Sequence, residues 1–181
     1  MGYMYLLLPL LLVFYQRIYC HSDRPGYIKP ETMPLRVTYD RNSEVQFGNI
    51  LSPSATSSQP RLMWEASSSS LYTVLMIDPD APSRADPSFR DFLHWLVVNV
   101  PGDELSRGFT AAPYRGPGPP KGTGFHRYYF LVFEQPKTLQ NIETRESRDS
   151  RKNFNTTEFV MHHGLGNAVA WNFFKAQYMS K

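Results

Sequence analysis

"LYTVLMIDPDAPSRADPSFRDFLHWLVVNV", Leu71 to Val100, sets two apolar runs on either side of a loop crowded with proline and charge. Leu71 to Ile77 is almost continuously apolar, which suits a strand covered on both faces. Phe92 to Val100 has the same character but carries His94 within it. Between the two runs, Pro79, Pro82 and Pro87 stiffen a segment that holds Asp78, Asp80, Asp86 and Asp91. Asp78 thus stands at a strand mouth, followed at once by a rigid loop. Carboxylates and a histidine this close together admit a metal site, an acid/base set, a binding pocket, or simply a polar loop between strands.

Outward from this stretch the chain reads as more strand. "LRVTYD" alternates Leu35, Val37 and Tyr39 with polar residues, the period of a half-buried strand. "YYFLVFE", Tyr128 to Glu134, is dense in aromatic and branched side chains. The intervening "LSPSATSSQP", "ASSSS", "VPGDE" and "YRGPGPPKGTG" are turn-rich loops. The tail changes character. From Asn167, Trp171, Phe174 and Tyr178 fall on one face of a helix, with Asn167 as its cap after Gly164 and Gly166. A shorter helix is expected near Asn155, three residues before Glu158 in a capping-box-like pattern. The same "NTT" is an N-glycosylation sequon, and capping and glycosylation compete for the Asn155 side chain. Strands followed by short helices make this a mainly β domain with helices segregated at one end.

The apolar run Tyr5 to Phe14 is ten residues long, short of the roughly 20 needed to span a bilayer. It reads as a signal-peptide core, with cleavage after Cys20, a signal over residues 1–20 and a single domain over 21–181. An uncleaved anchor and an unstructured N-terminus are the rival readings. A secreted chain cut there loses Cys20, its only cysteine, so disulfides, thiolate ligands and a cysteine nucleophile are excluded. Its stability must come from the core, to which an aromatic content of 14% contributes. A formal charge of +3, from 19 basic and 16 acidic residues, does not indicate nucleic acid, which calls for basic side chains gathered on one face. The densest charge run, "TRESRDSRK" from Thr144 to Lys152, mixes both signs and reads as a solvated loop.

His21, His94, His126, His162 and His163 make no HxH or HExxH pattern, and no calcium loop is present, so a metal is not expected. No GxSxG motif supplies a nucleophile. Asp78 and His94 are chemically capable of acid/base work, but nothing accompanies them as nucleophile or oxyanion site, so no enzyme and no cofactor is expected. His94 also fits an ordinary buried histidine. A second region favours a pocket. In "YRGPGPPKGTGFHRYYF", Tyr114 to Phe130, glycines let backbone N–H groups approach a ligand while prolines keep the loop stiff. A rigid turn with no ligand is the alternative.

"DPDAPSR" (Asp78 to Arg84), followed by "GPGPPKGTGFHRY" (Gly116 to Tyr128), resembles the phosphatidylethanolamine-binding protein family. The resemblance runs from about Pro34, through "MWEA" around Trp64, to "FEQP" at Phe133 to Pro136. It implies a large central antiparallel β-sheet packed on a smaller one, with short helices including a C-terminal helix. It also implies a small pocket for phosphate, acetate or a phosphoethanolamine headgroup. On this chain the polar wall would be Asp78, His94, His126 and Tyr128, and the rim Ala81, Pro82, Gly116, Gly118, Pro119 and Pro120. Cis peptides would precede Pro82 and join Arg90 to Asp91. The chain departs from the family pattern where Leu93 replaces the first of two histidines, Phe92 a tryptophan and Phe89 a tyrosine, and where Arg115 and Pro117 replace smaller or more flexible residues. The function implied is reversible headgroup binding by a secreted, monomeric protein, with His94, Tyr128 and loop N–H groups receiving phosphate oxygens and Asp78 orienting a histidine or meeting an ammonium. Two alternatives come with the family: an extracellular serine protease inhibitor or signalling modulator, and a cytosolic kinase-pathway regulator if the signal is unused.

Overall fold

A computed structural model describes residues 25–40 and 43–180; the expected signal segment and Cys20 lie outside the described residues. The strands are β1 (Met33–Pro34), β2 (Arg36–Tyr39), β3 (Ser43–Glu44), β4 (Arg61–Met63), β5 (Leu71–Asp78), β6 (Phe92–Pro101), β7 (Phe109–Ala112), β8 (His126–Gln135) and β9 (Ala170–Ala176). One α-helix, α1 (Thr156–His162), and short 3-10 turns at Leu105–Arg107 and Asp149–Arg151 complete the described elements. The larger sheet runs β1-β9-β8-β5-β6-β7 and the smaller β3-β2-β4. The class is the one expected, a mainly β domain of two sheets. The large sheet is mixed, because β1 pairs parallel with β9, while its other pairings are antiparallel. That edge strand has only two residues, too few to leave a periodic signal.

β5 and β8 lie at the centre of the large sheet, and their side chains divide between two cores with the period of a strand. Tyr72, Val74 and Met76 of β5, with Tyr128, Phe130 and Val132 of β8, face the small sheet's Val37, Tyr39 and Leu62. Leu75 and Ile77, with Tyr129, Leu131 and Phe133, face the opposite layer, which includes Val160 of α1 and Leu165. This two-sided burial explains the near-continuous apolar runs.

The tail corrects an expectation. The segment predicted as a helix from Asn167 forms β9, in register with β8 from Val132↔Ala170 to His126↔Ala176. Its aromatic spacing fits a helix face, but Phe173 also lies two residues from Trp171, and those two rings share one core while Ala170 and Phe174 enter the other. A helix would strip β8 of its neighbour and bury only one stripe of this two-sided apolar segment. Asn167 is exposed and Tyr178 lies on the surface. Asn172 takes the polar position in β9. Its Nδ2 donates to Leu35 O and Val45 O, and its Oδ1 accepts from Phe47 N and Phe173 N, tying the small sheet to the large one.

The other helix forms where expected. Asn155 caps α1, its Oδ1 accepting from Glu158 N at 3.0 Å. Among the described residues no helix is long and apolar enough to cross a membrane.

Candidate ligand-binding site

Antiparallel pairing brings the end of β5 and the starts of β6 and β8 to one end of the large sheet, with Asp78 opposite Phe92 and Ile77 beside Tyr129. The proline loop after β5 and the glycine–proline loop before β8 rise from this end and enclose a cavity of about 290 Å³. Asp78, His94, His126 and Tyr128 line it from the strands, Ala81 and Pro82 from the first loop, and Gly116, Gly118, Pro119 and Pro120 from the second. Two segments roughly forty residues apart in the chain thus form one concave surface. The peptides Ala81–Pro82 and Arg90–Asp91 are both cis.

In the polar wall Asp78 holds a histidine, the first of the two roles expected of it. Its Oδ2 meets His126 Nδ1 at 2.8 Å and its Oδ1 accepts Asp80 N at 2.8 Å. The histidine that Asp78 orients is therefore His126, whose Nε2 is held by Thr123 Oγ1 at 3.0 Å. Thr123 Oγ1 in turn reaches Pro120 O at 2.8 Å, so a chain of hydrogen bonds joins the carboxylate to the glycine–proline loop. Tyr128 is buried, its ring stacked on Phe174 and edge-on to His94. Burial, with the negative charge of Asp78 nearby, raises its hydroxyl far above the ordinary phenol range and keeps it protonated.

His94 has a definite tautomer. Its Nδ1 lies 2.6 Å from Arg115 O, and a carbonyl can only accept, so Nδ1 carries the proton. Burial lowers its pKa from 6.5 to about 4; Asp78 opposes this, and Arg151 and Arg115 add to it. The ring is neutral at physiological pH, which leaves Nε2 as a hydrogen-bond acceptor. In that state Nε2 has no proton to give, so the expected hydrogen bond from His94 to a phosphate oxygen does not fit this tautomer.

Donors come from the loop, and they are few. Pro117, Pro119 and Pro120 have no N–H, while those of Gly116 and Gly118 are spent on no hydrogen bond among the described residues. Gly116 is fixed by packing, since a Cβ there would stand 2.8 Å from Thr56 O and 3.1 Å from Ser57 Cα. Gly118 has open space around it.

The remaining acids of the first loop hold it in place. Asp80, fully buried, accepts from Arg127 Nη2 at 2.7 Å, Arg127 Nε at 2.9 Å and Arg127 N at 2.9 Å, clamping the loop to the first turn of β8. Asp91 accepts from Thr156 Oγ1 at 2.6 Å and is raised by burial, anchoring the loop to α1. Asp86 is exposed, in a turn closed by its N–H on Ser83 Oγ.

Of the departures from the family pattern, Leu93 is silent for the pocket, because it points into the opposite core. Phe92 packs on His94 at 5.0 Å, and Phe92, Phe89 and Arg115 all line the cavity. Arg148 lines it too and was not anticipated. It belongs to the charge run read as a solvated loop; Arg148 is exposed as that reading requires, but the reading fails at Arg151. Arg151 is buried, its Nη1 donating to His94 O at 3.0 Å and Leu93 O at 3.3 Å. Arg115 and Arg151 therefore flank His94, and Arg148 lines the same cavity. Among the described residues no group of three or more metal-ligating side chains is gathered.

Comparison with known proteins points to one family. The sequence model of the phosphatidylethanolamine-binding protein family matches residues 31–176. A protein named putative odorant-binding protein A5, from Drosophila melanogaster, is 40% identical over 83% of this chain and 73% of its own length. A 26 kDa secreted antigen of Toxocara canis is 38% identical over 84% of this chain, which spans 63% of that protein. Among solved structures, carboxypeptidase Y inhibitor, determined in complex with its cognate proteinase, superposes with a TM-score of 0.71 at 24% identity, over 94% of this chain and 93% of its own; at that identity the likeness speaks for the fold alone. With the family's sequence model spanning nearly all of the described chain, and its two loops closing one cavity, the chain belongs to the phosphatidylethanolamine-binding protein family.

Proposed function

We propose that this is a secreted, non-catalytic binding protein whose cavity takes a small phosphate-bearing ligand, either a free anion or a phosphoethanolamine headgroup. The observation that carries the reading is one cavity lined by two glycines whose N–H groups are unspent among the described residues, a neutral histidine with a free acceptor, and a rim of rigid proline. Phosphate oxygens would take the N–H groups of Gly116 and Gly118, and His94 Nε2 would accept from a ligand P–O–H or ammonium. The apolar walls, Phe89, Phe92 and the prolines, would strengthen these bonds by excluding water. A cavity of about 290 Å³ matches a headgroup better than acyl chains. Secretion is supported by the apolar run Tyr5 to Phe14 and by the name of the Toxocara relative.

The test is an NMR titration of the protein with inorganic phosphate and with O-phosphoethanolamine. The amide signals of Gly116 and Gly118 and the His94 ring are expected to shift together and saturably. Shifts absent from these groups, or confined to other surfaces, refute the reading. Protease inhibition and kinase-pathway regulation are separate outcomes, read by a protease panel and by location after expression with the native N-terminus.

Asn155 is proposed as a glycan site in the same secreted form. Its cap uses Oδ1, whereas a glycan attaches at Nδ2, so the two roles use different atoms of one exposed amide.

A further inference from the structure

We infer that Arg115 and Arg148 select the ligand by charge, so that the cavity prefers a phosphate group of net negative charge over a zwitterionic headgroup. The inference rests on reading the cavity as a phosphate pocket and adds what that reading leaves open, namely how its ligands are ranked. Arg115 comes from the glycine–proline loop and Arg148 from the turn before Asp149–Arg151, so the two approach the cavity from separate elements. Both are exposed, and among the described residues neither side chain is committed to an ion pair or hydrogen bond. Their acidic neighbour Asp149 is occupied by Lys152 at 2.6 Å.

The interior cannot supply this charge. His94 is neutral, and the carboxylate of Asp78 is engaged by His126 and Asp80 N. Arg151 adds a further positive charge behind the wall, bonded to the carbonyls of Leu93 and His94. Among the described residues, a ligand with excess negative charge therefore meets two cations at the mouth that no acidic side chain pairs, set against the one carboxylate, Asp78, in the wall. A zwitterion brings an ammonium into the same field and gains less.

The experiment is calorimetric titration at low ionic strength and neutral pH, using inorganic phosphate, glycerol 3-phosphate, O-phosphoethanolamine and glycerophosphoethanolamine. The wild-type protein is expected to bind the first two more tightly than O-phosphoethanolamine, and glycerophosphoethanolamine most weakly. Arg148→Gln and Arg115→Gln should each weaken phosphate binding about fivefold, the effect of one unit charge near a solvated anion. The loss for glycerophosphoethanolamine should be much smaller, and Arg148→Lys should restore the phosphate preference. Equal losses for all four ligands, or a wild-type protein that binds O-phosphoethanolamine at least as tightly as phosphate, overturn the charge selection while leaving the pocket intact. No binding of any of the four by the wild type overturns the pocket reading, and the charge selection with it.

Discussion

Replacing Asp80 by alanine tests whether the two walls of the cavity are held together by one buried ion pair. Asp80 has no exposed surface and Arg127 is 9% exposed, and the carboxylate takes both guanidinium bonds and the Arg127 backbone N–H. Its removal takes away the carboxylate that two guanidinium N–H groups and a buried amide share. Breaking a buried pair from one side costs about 3–5 kcal/mol. For a domain of this size that is a fall in melting temperature of roughly 6 to 20 °C. Urea unfolding followed by circular dichroism measures it. The double variant Asp80→Ala, Arg127→Met removes both charges and should recover most of the loss, leaving about 1–3 kcal/mol for the unpaired backbone N–H. The pH dependence gives a second reading. Burial pushes the Asp80 carboxyl up, but the hydrogen bonds and charge of Arg127 outweigh it and hold the group below its ordinary value. Its contribution is therefore complete above the ordinary carboxylate range and is lost as pH falls through the lowered value; the variant should lack that part of the acid limb. A single variant within about 1 kcal/mol of wild type, or a double variant no more stable than the single, would refute the clamp.

Three further outcomes follow from the site. His94 stays neutral in the fold down to about 4 while the unfolded chain protonates below 6.5, so up to about 3 kcal/mol of stability is lost as pH falls across that interval; His94→Gln should remove this component, seen as a smaller shift of the urea midpoint between neutral and mildly acidic buffer. Gly116→Ala forces a Cβ to 2.8 Å from Thr56 O and should cost about 1–3 kcal/mol and weaken phosphate binding, whereas Gly118→Ala, facing open space, should unfold within about 0.5 kcal/mol of wild type. In a secretory host, Thr157→Ala and Asn155→Ala should both abolish the glycan mass shift, but only Asn155→Ala should also lose the cap, at about 1 kcal/mol; a single unshifted mass for the wild type would dismiss the glycan.

Local chemistry made much of this structure readable from its sequence. The apolar runs Leu71 to Ile77 and Phe92 to Val100 have few polar residues because both faces are buried, and Asn155 caps because its side chain reaches the N–H three residues on. β9 was not readable in the same way. "AWNFFKA" carries aromatic residues at both strand and helix spacings, and the choice is made by β8, which presents a ladder of N–H and C=O groups from His126 to Val132. A single sequence window does not contain that partner.

The polar wall was readable as a set of residues but not as a set of roles. Whether His94 donates or accepts depends on which backbone atom passes Nδ1, and that atom, Arg115 O, lies 21 residues away. The same carbonyl-level detail explains the buried arginine in the mixed charge run. β7 pairs with β6 only from Leu96↔Ala112, so the carbonyl of His94 lies beyond the ladder. It is taken instead by Arg115 N at 2.9 Å and Arg151 Nη1 at 3.0 Å. A strand that stops short thus creates a place for a cation, and the turn carrying Arg151 brings Arg148 to the mouth of the cavity. The charge in "TRESRDSRK" acquires its direction from a gap in a neighbouring sheet, which is why its sign pattern alone reads as solvent-facing.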